Sequence, residues 1–183
     1  MKRIVLRFGL ASGAILLAIA AVMLPLSLNG TIGFDQGELV GFSTMVLAFL
    51  MVFFGIRSYR DNVGGGAIGF GKAFQVGILI TLITCAIYVV TWEIAYFNFF
   101  PDFLDQYSAH TLEKMRAAGE SEAAIREEAA KMADLAKVYD NVFINSGITF
   151  LEIFPVGLIV TLVSAAILRR KPREGAASAA VAA

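Results

Sequence analysis

The sequence predicts an all-α fold: an integral membrane bundle of four transmembrane helices, with an extramembrane helical hairpin between spans three and four. Three observations carry that expectation. Hydrophobic residues make up 58% and charged residues 16% of the 183 residues, and mean hydropathy is +0.74, far more apolar than a soluble domain. The apolar residues gather into four runs, each close to the roughly 20 helical residues that cross a hydrocarbon core of about 30 Å. The charges separate by connection. Continuous apolar runs exclude a β-barrel, whose strands alternate, and lone strands cannot satisfy their backbone groups in lipid.

The first run, 8–28, follows Lys2, Arg3 and Arg7. A cleavable signal peptide is the rival reading, with Ala18-Ile19-Ala20 as a cleavage-like triplet, but the run continues to Leu28 and outlasts an ordinary h-region. The other spans are 39–56, 73–97 and 143–168. Residues 1–172 therefore form one membrane domain, and the Ala-rich stretch 173–183 is expected to be a disordered tail. Arg57, Arg60 and Lys72 lie between spans two and three, and Arg169, Arg170, Lys171 and Arg173 follow span four. With the N-terminal three, ten of the 15 basic residues fall on one side. On the other side Asp35 and Glu38 stand without a base, and 101–141 holds nine acids against five bases. Short cytoplasmic loops retain Lys and Arg, so both termini are expected in the cytoplasm. Arg57, Arg60, Lys72, Arg169 and Arg170 are then anchors at the anionic inner headgroups.

Within 101–141, Pro101-Asp102 precedes a helix-like run to Ala118, and Gly119 stops it. Ser121 is placed to cap a second run, in which Ile125, Ala129, Met132, Ala136 and Tyr139 recur at helical spacing. His110 in this segment is read as a surface imidazole.

The connection from Arg57 to Phe74 carries Gly64-Gly65-Gly66, Ile68 and Phe70-Gly71-Lys72-Ala73-Phe74, leading to Gly77. Together with Tyr88-Val89 and Pro101-Asp102-Phe103, it resembles the bacterial membrane-protein family known as domain of unknown function 4199, over residues 4 to about 170. Gly69 departs from the serine frequent in that family. The resemblance implies a small multi-span bacterial membrane protein and supplies no catalytic residues.

Gly66 to Lys72 also fits a phosphate-loop spacing, and Gly64, Gly66 and Gly69 a dinucleotide one. Neither has its context: Ala73 stands where a magnesium-binding hydroxyl belongs, and a membrane span replaces the preceding strand. No cofactor is expected. A single cysteine, Cys85, and a single histidine leave no multi-ligand metal site or triad, and zero net charge gives no general attraction to nucleic acid.

Small residues four apart recur at Gly9/Gly13, Gly37/Gly41 and Ala73/Gly77/Thr81, and read as packing seams. The third-span seam continues through Thr84, Tyr88, Thr91 and Ala95, with Cys85 as a packing residue near its edge. Two carboxylates lie inside spans. At about 1.5 Å per residue, Glu93 stands roughly 31 Å from Lys72 and Glu152 roughly 25 Å from Arg169, so both belong to the outer third of the membrane. Glu93 falls on the far side of the third helix from Gly77, beside Trp92, and is expected to reach water or headgroups. Glu152 shares a stripe with Asn145 and Thr149, and Pro155 frees the Leu151 carbonyl nearby. Val156, Ile159, Val160 and Val163 would seal that stripe below, leaving a polar cup open outward.

Two functional readings stay open. The first is a non-enzymatic accessory or structural membrane protein whose partners are lipids and a second copy or another membrane protein. The second is a small transporter or channel component using Glu152, with Glu93, Asn145 and Tyr88 as polar partners. An intramembrane enzyme ranks below both, because no nucleophile-base pair is visible.

Overall fold

A computed structural model describes residues 1–28 and 33–170. The described residues form six helices: α1 (Lys2–Leu28), α2 (Phe34–Asn62), α3 (Phe70–Phe99), α4 (Phe103–Ala117), α5 (Glu122–Tyr139) and α6 (Val142–Leu168). Four contain stretches long and apolar enough to cross a membrane: Lys2–Met23, Leu39–Asn62, Phe70–Phe99 and Val142–Leu168. They overrun the apolar runs at several ends because backbone hydrogen bonding continues through Arg57 and Arg60 as readily as through leucine. Pro155 sits inside α6 without ending it. The expected disordered tail, with Lys171 and Arg173, lies outside the described residues.

α2 and α3 pack together, and α1 and α6 each lie against both, on opposite sides of that pair. Phe49, Val52, Ile56, Ile80 and Ile153 fill the centre at 0% exposure. The outer surface is the reverse of a soluble protein's: Phe42, Leu47, Val90, Leu151, Ile159 and Ile167 are all exposed. So broad an apolar coat matches helices long and apolar enough to cross a membrane.

Small residues set the helix spacing. A Cβ on Gly77 would stand 2.8 Å from Thr161 Cγ2 and 2.9 Å from Ile56 Cδ1, and one on Gly157 would stand 2.7 Å from the Phe49 ring. Gly9 and Gly13 meet Ile83 and Ile87 of α3 in the same way, and Ser12 Oγ donates to the Ala48 carbonyl at 2.8 Å. The seam on α3 forms in most of its expected length: Ala73, Gly77, Thr81, Thr84 and Ala95 are buried, with Cys85 beside them, while Tyr88 and Thr91 are half-buried. The expected seam at Gly37/Gly41 does not form at Gly41, which has nothing within 4 Å of its would-be Cβ. Spacing alone does not decide use, since a neighbour must be present on that face.

The segment after α3 follows its sequence signals. Gly119 takes φ +77° and ends α4, a left-handed value that costs glycine little. Ser121 Oγ accepts from the Ala124 amide at 3.2 Å and caps α5. α5 packs on α4 and touches α6, with Ile125 buried and Ala129, Met132, Ala136 and Tyr139 half-buried.

At the other end, Gly65 and Gly66 turn the α2–α3 connection at φ +60° and +85°. The strand-like residue after the turn then pairs with the end of α6. Ile68 N donates to Arg170 O at 3.0 Å, and Arg170 N donates to Ile68 O at 2.9 Å.

Candidate functional site

A network of polar side chains links the end of α3 to the start of α6. Asn141 builds this corner first. Its Oδ1 accepts from the amides of Phe143 and Ile144 at 3.0 and 3.3 Å, which satisfies two donors that every helix start leaves free. Asn145, one turn on, is fully buried. Its Oδ1 accepts from Trp92 Nε1 at 3.1 Å and from Thr149 Oγ1 at 3.3 Å. Its Nδ2 donates to the Tyr139 carbonyl at 3.3 Å. One amide thus joins α3, α6 and the last residue of α5.

Aromatic rings complete the joint. Trp92 lies edge-on to Phe103 at 5.3 Å between centroids and 6.0 Å from Tyr96, which in turn is 6.0 Å from Tyr139. α4 and α5 are held to α3 by these contacts, each worth about 0.5–1.5 kcal/mol beyond area burial.

Glu93 differs from expectation. Its side chain is half-buried, and Oε1 accepts from Ser146 Oγ on α6 at 2.9 Å. Oε2 is enclosed and has no hydrogen-bond partner among the described residues. The helical-wheel angle from Gly77 pointed it toward water or headgroups; the approach of α6 to this flank of α3 covers it instead.

Glu152 also departs from its stripe. Asn145 and Thr149 are buried, but Glu152 is exposed, and the interior line continues through Ile153, Gly157, Thr161 and Ala165. Val156 and Val160 are half-buried, and Ile159 and Val163 are exposed, so they form no seal beneath a cup. The buried line advances in steps of four, the row along which small residues let two helices interlock, and not in the 3.5-residue average of the expected stripe. Glu152 still lies within electrostatic reach of Tyr88 on α3 and Tyr139 on α5. Burial, and after it the Glu152 and Tyr107 charges, pushes the Tyr139 hydroxyl above its ordinary value.

The four expected site residues therefore occupy one corner in two arrangements. Asn145 and Glu93 are tied to each other's helices through Trp92 and Ser146, whereas Tyr88 and Glu152 are within electrostatic reach of each other. Sequence reasoning missed Ser146, Tyr139 and Tyr96. The adjacent polar pair Asn145-Ser146 in an apolar run was the available signal for the first. The other two depend on how α5 returns to α3.

The basic end is built separately. Asp61 lies 2.7 Å from Arg60 Nε and 3.6 Å from Arg57 Nε. Lys72 Nζ donates to Gln75 Oε1 at 2.9 Å and stands 6.0 Å from the Tyr59 ring centroid. Arg169 caps α6, and Arg170 closes the pairing with Ile68. All five expected anchors lie at this end.

The sequence model of the family described as "Protein of unknown function (DUF4199)" matches residues 7–170. The chain belongs to this family. The DUF4199 region takes in nearly all of α1, the other five helices and both members of the Ile68–Arg170 pairing. Its last residue is the one that closes that pairing. No curated protein and no solved structure matches the chain.

Proposed function

We propose that this DUF4199 chain is a multi-pass protein of the bacterial inner membrane, with both termini in the cytoplasm and α4 and α5 forming a helical hairpin outside. Within that frame it works as a non-enzymatic accessory or structural subunit, through lipids and through a second copy or another membrane protein. The observation that carries this reading is the filled bundle centre: Phe49, Val52, Ile56, Ile80 and Ile153 leave the working surfaces at the two ends and on the lipid-facing coat. Support for the orientation comes from the basic residues at the Ile68–Arg170 end and the acidic excess in 101–141. A membrane-impermeant maleimide tests the topology. Ser121→Cys should label in intact cells and Asn62→Cys only after permeabilisation; the opposite pattern overturns it. Crosslinking in mild detergent tests the subunit role: a defined adduct that depends on residues 101–141 supports it, and a chain that stays alone under all conditions removes it.

A second reading has one observation in its favour. Glu93 carries an enclosed acceptor oxygen next to Ser146 and the Asn145 network, and polar groups held inside a membrane mark ion and solute paths. Cation or solute flux in proteoliposomes that is lost in Glu93→Gln or Glu152→Gln would favour a transporter or channel component; equal flux with and without protein would exclude it.

A further inference from the structure

A groove of about 360 Å³ opens between α1 and α2 at the basic end, lined by Phe8, Met51, Phe54, Arg57, Ser58 and Asp61. Its residues divide by chemistry along the helix axis. Phe8, Met51 and Phe54 make an apolar floor, and Arg57, Ser58 and Asp61 make a polar lip about 15 Å further along α2 from Met51 at its far edge. Phe54 and the Arg57 side chain are 44% and 57% exposed, so the groove faces the surroundings of the bundle and not its core.

The charges at the lip are unequal. Arg60, whose side chain is 19% exposed, holds Asp61 at 2.7 Å, a full charge-assisted hydrogen bond. Arg57 reaches the same carboxylate only at 3.6 Å, beyond good hydrogen-bond distance. Two guanidiniums against one carboxylate leave one positive charge, and it belongs to the side chain at the mouth of the groove. Planar guanidinium donors suit a phosphate, and the Ser58 hydroxyl adds a donor beside them. A positive lip above an apolar floor is complementary to a molecule with a negative head and a hydrocarbon body.

We propose that the α1–α2 groove is a binding site for one anionic phospholipid of the inner leaflet, with its phosphate on Arg57 and Ser58 and an acyl chain along Phe54, Phe8 and Met51. This rests on the membrane reading above and goes beyond general headgroup anchoring: one basic residue out of the collar, with its apolar neighbours, selects a lipid.

The test is native mass spectrometry of the full chain in detergent, titrated with dioleoylphosphatidylglycerol or dioleoylphosphatidylcholine. Wild type should retain one phosphatidylglycerol about tenfold more tightly than phosphatidylcholine. Arg57→Gln should remove that preference, and Arg3→Gln, a basic residue outside the groove's lining, should leave it intact. Met51→Trp, which fills the floor without touching charge, should weaken the retained lipid of either kind. Equal loss in Arg57→Gln and Arg3→Gln would replace the site with a diffuse electrostatic collar. Unchanged preference in Arg57→Gln together with unchanged retention in Met51→Trp would overturn it outright. Recovery of the chain in the membrane fraction is scored independently: its absence sinks the membrane reading, whereas a membrane-resident chain without lipid preference sinks only the groove.

Discussion

The two ends of this bundle are held together by different physics. Toward the basic end, helices meet through missing bulk: Gly77 against Thr161 and Ile56, Gly157 against Phe49, Gly9 against Ile83. Toward the acidic end they meet through shared polar groups: Trp92 and Thr149 on Asn145, and Ser146 on Glu93. Lipid gives helices little hydrophobic reason to associate, so close van der Waals packing and interhelical hydrogen bonds do that work. The first device tolerates no added atoms, and the second tolerates no missing partner. The first zone is not wholly apolar: Thr81 and Thr161, which flank the Gly77 and Gly157 contacts, bring their hydroxyls 2.9 Å apart within it.

The largest effect should come from adding bulk to the first zone. Gly157→Val drives a side chain into Thr81 and Phe49 and should cost about 3 kcal/mol, the upper range for overpacking. Gly41→Val, where nothing lies within 4 Å, should change stability by less than about 0.5 kcal/mol. Thermal unfolding in detergent reads both; equal effects would erase the distinction between used and unused small residues.

Removing a partner in the second zone should cost less. Asn145→Ala orphans the Trp92 indole and the Thr149 hydroxyl, and a loss of about 1–2 kcal/mol is expected. Trp92 is the one tryptophan of the sequence, so its emission should shift in Asn145→Ala and stay put in Gly41→Val. A double-mutant cycle with Trp92→Phe should show coupling of roughly 0.6–1.7 kcal/mol; additivity would mean that the bond contributes nothing.

How far the sequence anticipates each zone depends on what each needs. The spans, the Gly119 stop, the Ser121 cap and the α3 seam are local facts, and they stand where periodicity and capping chemistry put them. The small residues of α6 were legible too, since Gly157, Thr161 and Ala165 repeat every four, but the stripe through Glu152 drew attention to the neighbouring face. Which of two adjacent stripes turns inward is set by the crossing of α6 over α2 and α3, and no residue of α6 encodes that alone. The covered oxygen of Glu93 and the Ile68–Arg170 pairing have the same origin, as both need partners far away in the chain.

Two smaller effects sharpen the comparison at the acidic end. Ser121→Ala removes the α5 cap and should cost about 1 kcal/mol, read as faster amide exchange confined to the start of α5. Tyr139 titrates above its ordinary value near 10. A raised folded-state value means that its contribution is complete below that ordinary value and disappears as pH rises through the folded one. Wild type should therefore lose stability above about pH 10 more steeply than Tyr139→Phe; superimposable curves would detach Tyr139 from the joint.

The pairing of Ile68 with Arg170 joins the α2–α3 connection to a residue just past the end of α6, with a consequence for biogenesis. A polypeptide emerging from the ribosome places α2 and α3 long before residue 170 exists. The Gly64–Gly66 turn must wait, its Ile68 amide without that partner, until α6 has been made. Synthesis of residue 170 itself becomes the latch, so a chain halted before α6 ends is left with an unlocked door at its basic end.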